Sequence, residues 1–266
     1  MSTTTRALIL TGFGINCDHE TADAFARAGA GPVRVHLNDV IARPAMLKEY
    51  RILAVPGGFS FGDDVASGKI LANRLRYKLG DALRRFVAEG KLVIGICNGF
   101  QVLVKMGMLP MLEGDFRQEV TLTHNDSGRF EDRWVHLKTA KNTSCVWVKG
   151  LDQLELPVRH GEGKFIPRDA DVLKSLGDRG MIVLRYCLHD GEAARGDFPA
   201  NPNGSIDDVA GICDTTGRVF GLMPHPEAHT ERTHHPLWTR EARPEEGIGL
   251  RVFRNAVEYA ERELLG

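Results

Sequence analysis

Apolar and polar positions follow two rhythms along this chain. In the first hundred residues, short unbroken apolar runs alternate with stretches of helical spacing. Ala7 to Leu10 is such a run, and it ends in Thr11-Gly12-Phe13-Gly14. Asn16 and Asp18 then offer caps for a helix whose apolar positions pass through Ala22, Phe25 and Ala28 to a stop at Gly29. Val33 to Leu37 alternates as a second strand, and Ile52 to Val55 reads as a third, buried on both faces, closed by Pro56-Gly57-Gly58. Between Val65 and Glu89 the positions Ile70, Leu71, Leu75, Leu79, Leu83, Phe86 and Val87 recur at helical spacing, with basic residues between them that read as a solvated face. Gly90 stops that helix. Lys91 to Ile96 is a fourth strand; after Cys97-Asn98-Gly99, Phe100 to Val104 returns to a helical pattern.

The second half changes character. Glu119 to His124, Trp134 to Lys138 and Cys145 to Val148 read as short alternating strands joined by polar loops such as Asn125-Asp126-Ser127-Gly128-Arg129. His160-Gly161-Glu162-Gly163-Lys164-Phe165 is a glycine-spaced polar loop, Met181 to Leu188 a strand, and Asn201-Pro202-Asn203-Gly204-Ser205 a turn. Strands at Val209 to Cys213 and Val219 to Met223 precede a terminal amphipathic helix over Glu245 to Leu265. The expectation is an α/β fold: a mostly parallel central sheet with helices on both faces, plus an antiparallel β extension in the second half. Functional groups of such a sheet gather at the carboxyl ends of its strands, where both Cys97 and Gly57-Gly58 fall. No repeat divides the chain, so residues 1–266 are read as one domain, with Gly191 to Asp197 as a mobile loop.

Composition narrows the function. Hydrophobic residues make up 42% and charged residues 26%, with 34 basic against 35 acidic side chains, so no global field favours nucleic acid or an anionic membrane. The start, from Met1 to Leu10, lacks the pattern of a leader, and no run approaches the roughly 20 apolar residues of a membrane span. Five cysteines without a C-x-x-C pair fit a reduced cytoplasmic compartment.

The chemistry centres on Gly95-Ile96-Cys97-Asn98-Gly99, which has the spacing of a nucleophile elbow with sulfur in place of oxygen. A nucleophile raised on a tight strand-to-helix turn brings the residues two before and two after it together, and glycine removes the collision. The following helix aims its first N–H groups at the turn. The plainer reading is a buried strand-end cysteine, which the paired glycines disfavour. A thiol nucleophile needs a base and the base an orienting partner. His225, at the end of the last strand in Met223-Pro224-His225-Pro226-Glu227, meets that need, because a spacing of two in an extended chain puts Glu227 on its side. A lone H-x-E is more often an ordinary loop. His225, His229, His234 and His235 also cluster, but the spacing is not that of a zinc helix and two prolines interrupt it, so no metal is expected. Ser67-Gly68-Lys69-Ile70 lacks a P-loop's spacing and Gly12-Phe13-Gly14 lacks the third glycine of a dinucleotide fingerprint, so no nucleotide site is expected either.

With G-I-C-N-G-F-Q and M-P-H-P-E both in hand, the chain resembles the class I, triad-type glutamine amidotransferases, which have a flavodoxin-like fold. Within them it is most similar to the glutaminase subunits of phosphoribosylformylglycinamidine synthases. The likeness also runs through Asn16-Cys17-Asp18 with Glu20, Pro56 to Asp63, His160 to Gly163, Leu184 to Cys187 and Asn201 to Ser205. It implies that Cys97 attacks the side-chain amide of glutamine, that His225 is base and then acid, and that Glu227 orients His225. It further implies an oxyanion hole from the N–H groups of Asn98 and Gly58, and contact of Gln101 with bound glutamine. The implied partners are an ATP-dependent synthetase large subunit, which uses ATP and Mg2+, and a small bridging subunit; this chain would hold no cofactor. Extra material between Asn125 and Leu156 and between Ala228 and Gly249, and Ala228 where the family has arginine, touch docking and not the triad. An elbow-cysteine hydrolase and a regulatory subunit without turnover are the competing readings.

Overall fold

The computed structural model describes residues 4–265; Met1 to Thr3 of the start segment, and Gly266, lie outside the described residues. The first half is built as its apolar runs require. β1 (Arg6–Thr11) leads to helix α1 (Asp18–Arg27), then β2 (Gly31–His36), α2 (Leu37–Ala42) and β3 (Ile52–Val55). Helix α3 (Lys69–Ala88), β4 (Leu92–Ile96) and α4 (Asn98–Met106) follow. Every residue of β3 and β4 is buried, as expected of strands covered on both faces. The second half contains β5 (Val120–Thr123), β6 (Glu131–Thr139), β7 (Gln153–His160), β8 (Lys164–Pro167) and α5 (Ala170–Asp178). It closes with β9 (Ile182–Cys187), β10 (Val209–Cys213), β11 (Val219–Leu222) and α6 (Gly249–Leu264).

Nine strands form one sheet in the order β2-β1-β3-β4-β11-β10-β9-β6-β7, and β5 pairs with β8 apart from it. The stretch from β2 to β11 is parallel, and further along only β10 and β6 run against the common direction. Helix α1 packs on β1, β2 and α6, while α3 packs on α4. The sheet curls strongly in its antiparallel half, so that its edge strand β7 returns to the end of β11, where the His225 N–H donates to the Pro157 carbonyl at 2.8 Å. Among the described residues no helix is long and apolar enough to cross a membrane.

Several expected elements are corrected. Cys145 to Val148 is not a strand: Val146–Val148 is a single 3-10 turn that drops Trp147 into the core, where its indole N–H donates to the Arg218 carbonyl at 2.9 Å. The Asn255 amide takes the Trp147 and Lys149 carbonyls, which removes them from any ladder. β7 and α5 had no clear signal; Pro157 argues against a strand, yet an edge strand tolerates it. Asn16 and Asp18 do not cap α1, whose N-cap is Cys17, and Asp18 instead takes the Arg34 guanidinium at 2.7 Å. Leu37 opens α2 instead of closing β2, because the His36 ring accepts the Asn38 N–H. Residues 65–68 precede α3, and α6 begins at Gly249, four residues late, after a bridge between Glu231 and Glu246. The loop Gly191 to Asp197 is tied down by Arg195 and Gly196 N–H groups donating to the Asp208 carboxylate at 2.8 and 2.9 Å.

One packing detail fixes the centre. Gly95 of β4 and Gly221 of β11 are register partners, and α4 lies directly on them. A Cβ on Gly95 would come within 2.6 Å of the Gly99 carbonyl oxygen, and one on Gly221 within 2.1 Å of the Phe100 ring. Gly221→Ala should therefore destabilise the fold by about 2 kcal/mol through overpacking. Urea unfolding would measure it, and an unchanged midpoint would show that α4 can lift off without cost.

Candidate active site

The elbow begins where β4 stops. Cys97 has φ 51° and ψ −106°, a left-handed conformation that a side chain rarely adopts, and it is held there from both sides. Its N–H donates to the Leu222 carbonyl of β11 at 2.8 Å, and its carbonyl accepts the Gln101 N–H in the first turn of α4. Gly99 is required more strictly than Gly95, since a Cβ there would lie 1.8 Å from the Val55 carbonyl oxygen of β3. The thiol is buried, 5% exposed, and donates to the Arg159 carbonyl at 3.6 Å.

The neighbouring parallel strand delivers His225. β11 runs in register with β4, so the residues just past its end, Met223-Pro224-His225, arrive beside Cys97. His225 Nδ1 and Glu227 Oε1 are 2.6 Å apart, with both side chains 2% exposed. The contact does not come from an extended spacing of two. Pro226 to Ala228 is a 3-10 turn, with Pro226 preset for its first position, and the turn folds the carboxylate back under the ring. Burial alone would push the imidazole pKa down. The Glu227 carboxylate, followed by Cys97, outweighs it and holds His225 well above its ordinary value. Nδ1 is thus committed to Glu227, and Nε2, which has no partner in hydrogen-bonding geometry among the described residues, is left for chemistry. Gly57 makes room for the ring, for a Cβ there would sit 2.9 Å from its Cε1.

Gly58 follows in the turn after β3 with φ +147°, and a Cβ on it would strike the Gly14 carbonyl oxygen at 2.4 Å. No hydrogen bond among the described residues takes the N–H of Gly58 or of Asn98, the first residue of α4. Two backbone donors beside a thiol, one at a helix N-terminus, can receive a developing oxyanion. Cys97, His225 and Gly58 line a cavity of about 290 Å³. A cavity of about 880 Å³ lies elsewhere, between residues 139–152 and α6, but its one thiol, Cys145, is buried and held protonated beside Cys213. Chemistry, not size, selects the smaller one.

A family model for the CobB/CobQ-like glutamine amidotransferase domain matches residues 4–260. The chain is a glutamine amidotransferase of that family. It is 48% identical over 257 residues to the phosphoribosylformylglycinamidine synthase subunit PurQ of Dehalococcoides mccartyi, covering 96% of this chain and 97% of that one. It is 42% identical to the same subunit of Methanococcus maripaludis, with 96% and 97% covered. A solved chain from the structure of PurLQS from Thermotoga maritima superposes with a TM-score of 0.71 at 29% identity, covering 96% of this chain and 99% of that one.

Within this amidotransferase the sequence-expected residues do not all reach the cavity. Cys97, His225 and Gly58 line it; Glu227 stands behind His225. Gln101, expected to touch substrate, does not line it: its amide accepts from Asn98 Nδ2 at 2.9 Å and donates to the Glu162 carbonyl at 2.5 Å. The Asn98 side chain also binds Ser60 N–H and the Asp63 carboxylate, so Asn98 and Gln101 clamp the elbow to the loop at 60–63 and to the His160-Gly161-Glu162-Gly163 segment. That segment thereby acquires a place behind the elbow. In it His160 is buried against Asn125, and burial, with His225 nearby, pushes its pKa down to about 4. Cys17, to which the sequence motifs assign no role, lines the cavity, its thiol pKa raised by burial. Its signal was the Asn16-Cys17-Asp18 block. Cys17, His225 and Glu227 are the one group of three metal-type donors found close together among the described residues, but Glu227 is already engaged by the ring. His229 and His235 instead pack on Trp134; His229 bonds the Glu155 carbonyl and the His235 ring lies 3.1 Å from the Glu155 carboxylate, pinning the segment after His225 to β7.

The raised pKa of His225 carries a sign. Its folded-state value lies above that of the unfolded chain, so protonation favours folding, fully below the unfolded value of about 6.5 and less as pH rises through the folded one. Glu227→Gln should remove this gain. Urea unfolding of the two proteins should differ most near about pH 6 and converge at alkaline pH; a gap constant with pH would mean that Glu227 acts by packing alone.

Proposed function

We propose that this chain is the glutaminase subunit of a phosphoribosylformylglycinamidine synthase. The observation that carries the reading is the thiol of Cys97 on its left-handed elbow beside an imidazole that Glu227 holds at 2.6 Å. The full-length likeness to PurQ subunits sets the larger reaction.

Cys97 attacks the side-chain amide carbon of glutamine as the thiolate, its proton resting on His225. Charge gathers on the amide oxygen, where the N–H groups of Gly58 and Asn98 receive it; loss of one such donor costs about 3 kcal/mol of transition-state stabilisation. His225 Nε2 then returns its proton to the departing nitrogen, ammonia leaves, and a γ-glutamyl thioester remains on Cys97. Water, deprotonated by His225, attacks the thioester through the same oxyanion hole. The C–S bond breaks, glutamate leaves and the thiol is restored. Glu227 keeps the ring in register and offsets its positive charge at each stage.

The ammonia serves an ATP-dependent synthetase subunit, which converts formylglycinamide ribonucleotide to formylglycinamidine ribonucleotide in purine biosynthesis. The structure named PurLQS supports assembly with a large subunit and a third, small one. ATP and Mg2+ are assigned to the large subunit, in keeping with the lack of a phosphate-binding glycine signature in this sequence.

Glutamate release by wild type and Cys97→Ala, in the complete mixture of subunits, ATP and formylglycinamide ribonucleotide, tests this. Loss of the nucleophile should lower glutamine-dependent turnover by about 10⁴-fold or more, while added ammonium salt still supports amidine formation. Undiminished release from the variant would overturn the reading.

A further inference from the structure

The cavity that holds Cys97 also carries two side chains of opposite charge that the chemistry above does not use. Glu20 lies in the first turn of α1, three residues after Cys17, so both project from one face of the helix. Arg159 lies on β7 and places its carbonyl 3.6 Å from the Cys97 sulfur. Both line the cavity and both are exposed. Among the described residues neither side chain has an ion pair or a hydrogen-bond partner, although the chain forms such pairs readily elsewhere, as between Arg34 and Asp18. Apart from His225 they are the charged groups of this cavity, and Phe59 and Phe130, with ring centroids 6.3 Å apart, wall it between them.

An unpaired cation and an unpaired anion over one nucleophile match an α-amino acid. A substrate whose amide carbon is at Cys97 projects, two methylene groups further out, one carboxylate and one ammonium. We propose that the Arg159 guanidinium takes the α-carboxylate of glutamine and the Glu20 carboxylate its α-ammonium, so that these two residues restrict the nucleophile to the free amino acid. This rests on the glutaminase reading and assigns its substrate specificity. Guanidinium and carboxylate are the right partners: the fork of arginine fits a carboxylate with two parallel N–H bonds, and charge-assisted bonds are about twice as strong as neutral ones. The position of Glu20 at a helix N-terminus suits an anion even before substrate arrives. The same geometry disfavours a glutamine within a peptide, whose α-groups are amides and leave both charges unpaired.

The test uses the assembled complex and three substrates: glutamine, γ-aminobutyramide, which lacks the α-carboxylate, and glutaramic acid, which lacks the α-amino group. Arg159→Met should raise KM for glutamine about 10–100-fold with a smaller fall in kcat, and should abolish the wild-type preference for glutamine over γ-aminobutyramide. Glu20→Gln should do the same for the preference over glutaramic acid. Calorimetry of glutamine binding to Cys97→Ala, with and without each second substitution, should show parallel losses of affinity. Preferences that survive the substitutions, or an equal loss for all three substrates, would overturn the assignment. A wild-type complex inert toward glutamine would instead sink the glutaminase reading.

Discussion

Everything at the site depends on how closely α4 lies on the sheet. A helix normally stands about 10 Å off a sheet, because side chains fill the space between. Here three glycines let the first turn of α4 meet the strands beneath it. Gly95 and Gly221 lie side by side across β4 and β11, while Gly99 faces the Val55 carbonyl of β3. The chain passes from strand to helix with no intervening loop, and Cys97 absorbs the change of direction in its left-handed backbone. The same approach leaves the first N–H of α4 without an intrahelical acceptor, beside the sulfur. The position of the sulfur and of the unpaired N–H beside it thus follows from one packing constraint.

Electrostatics then works against burial. Taking an imidazole and a carboxylate out of water is costly, and breaking such a buried pair by removing one partner costs about 3–5 kcal/mol. The cost is met locally by the short contact of Nδ1 with Glu227, which leaves the ring charged well above its usual range despite its burial. The second oxygen of Glu227 has no hydrogen-bond partner among the described residues. A pair tuned this way keeps a protonated imidazole buried at the cavity, with its Nε2 turned away from Glu227.

The antiparallel half of the sheet encloses what the parallel half presents. Curling brings β7 back over the end of β11, so that Pro157 accepts the His225 N–H and Arg159 closes over Cys97. Behind the elbow, Asn98 and Gln101 tie α4 to the loops at 60–63 and 160–163. The motif segments at 60–63 and 160–163 therefore support the elbow from behind, through hydrogen bonds spent within the protein.

The sequence by itself determined the parallel half, because β3 and β4 are buried on both faces and so read as unbroken apolar runs. It also singled out Cys97, His225 and Glu227 as candidates, since an elbow demands glycines at fixed offsets and a base a nearby carboxylate; that a 3-10 turn and not an extended chain joins His225 to Glu227 was visible only in the fold. Only the tertiary structure decided the rest. Trp147 sits in a 3-10 turn because Arg218 and Asn255, remote in the chain, take its polar groups. β7 exists because the sheet offers an edge where Pro157 loses nothing. Gln101 faces inward and Glu20 and Arg159 face the cavity because of where α4, α1 and β7 meet. Local spacing reports the face of an element on which a residue lies; what that face meets is settled by contacts between segments far apart in the chain.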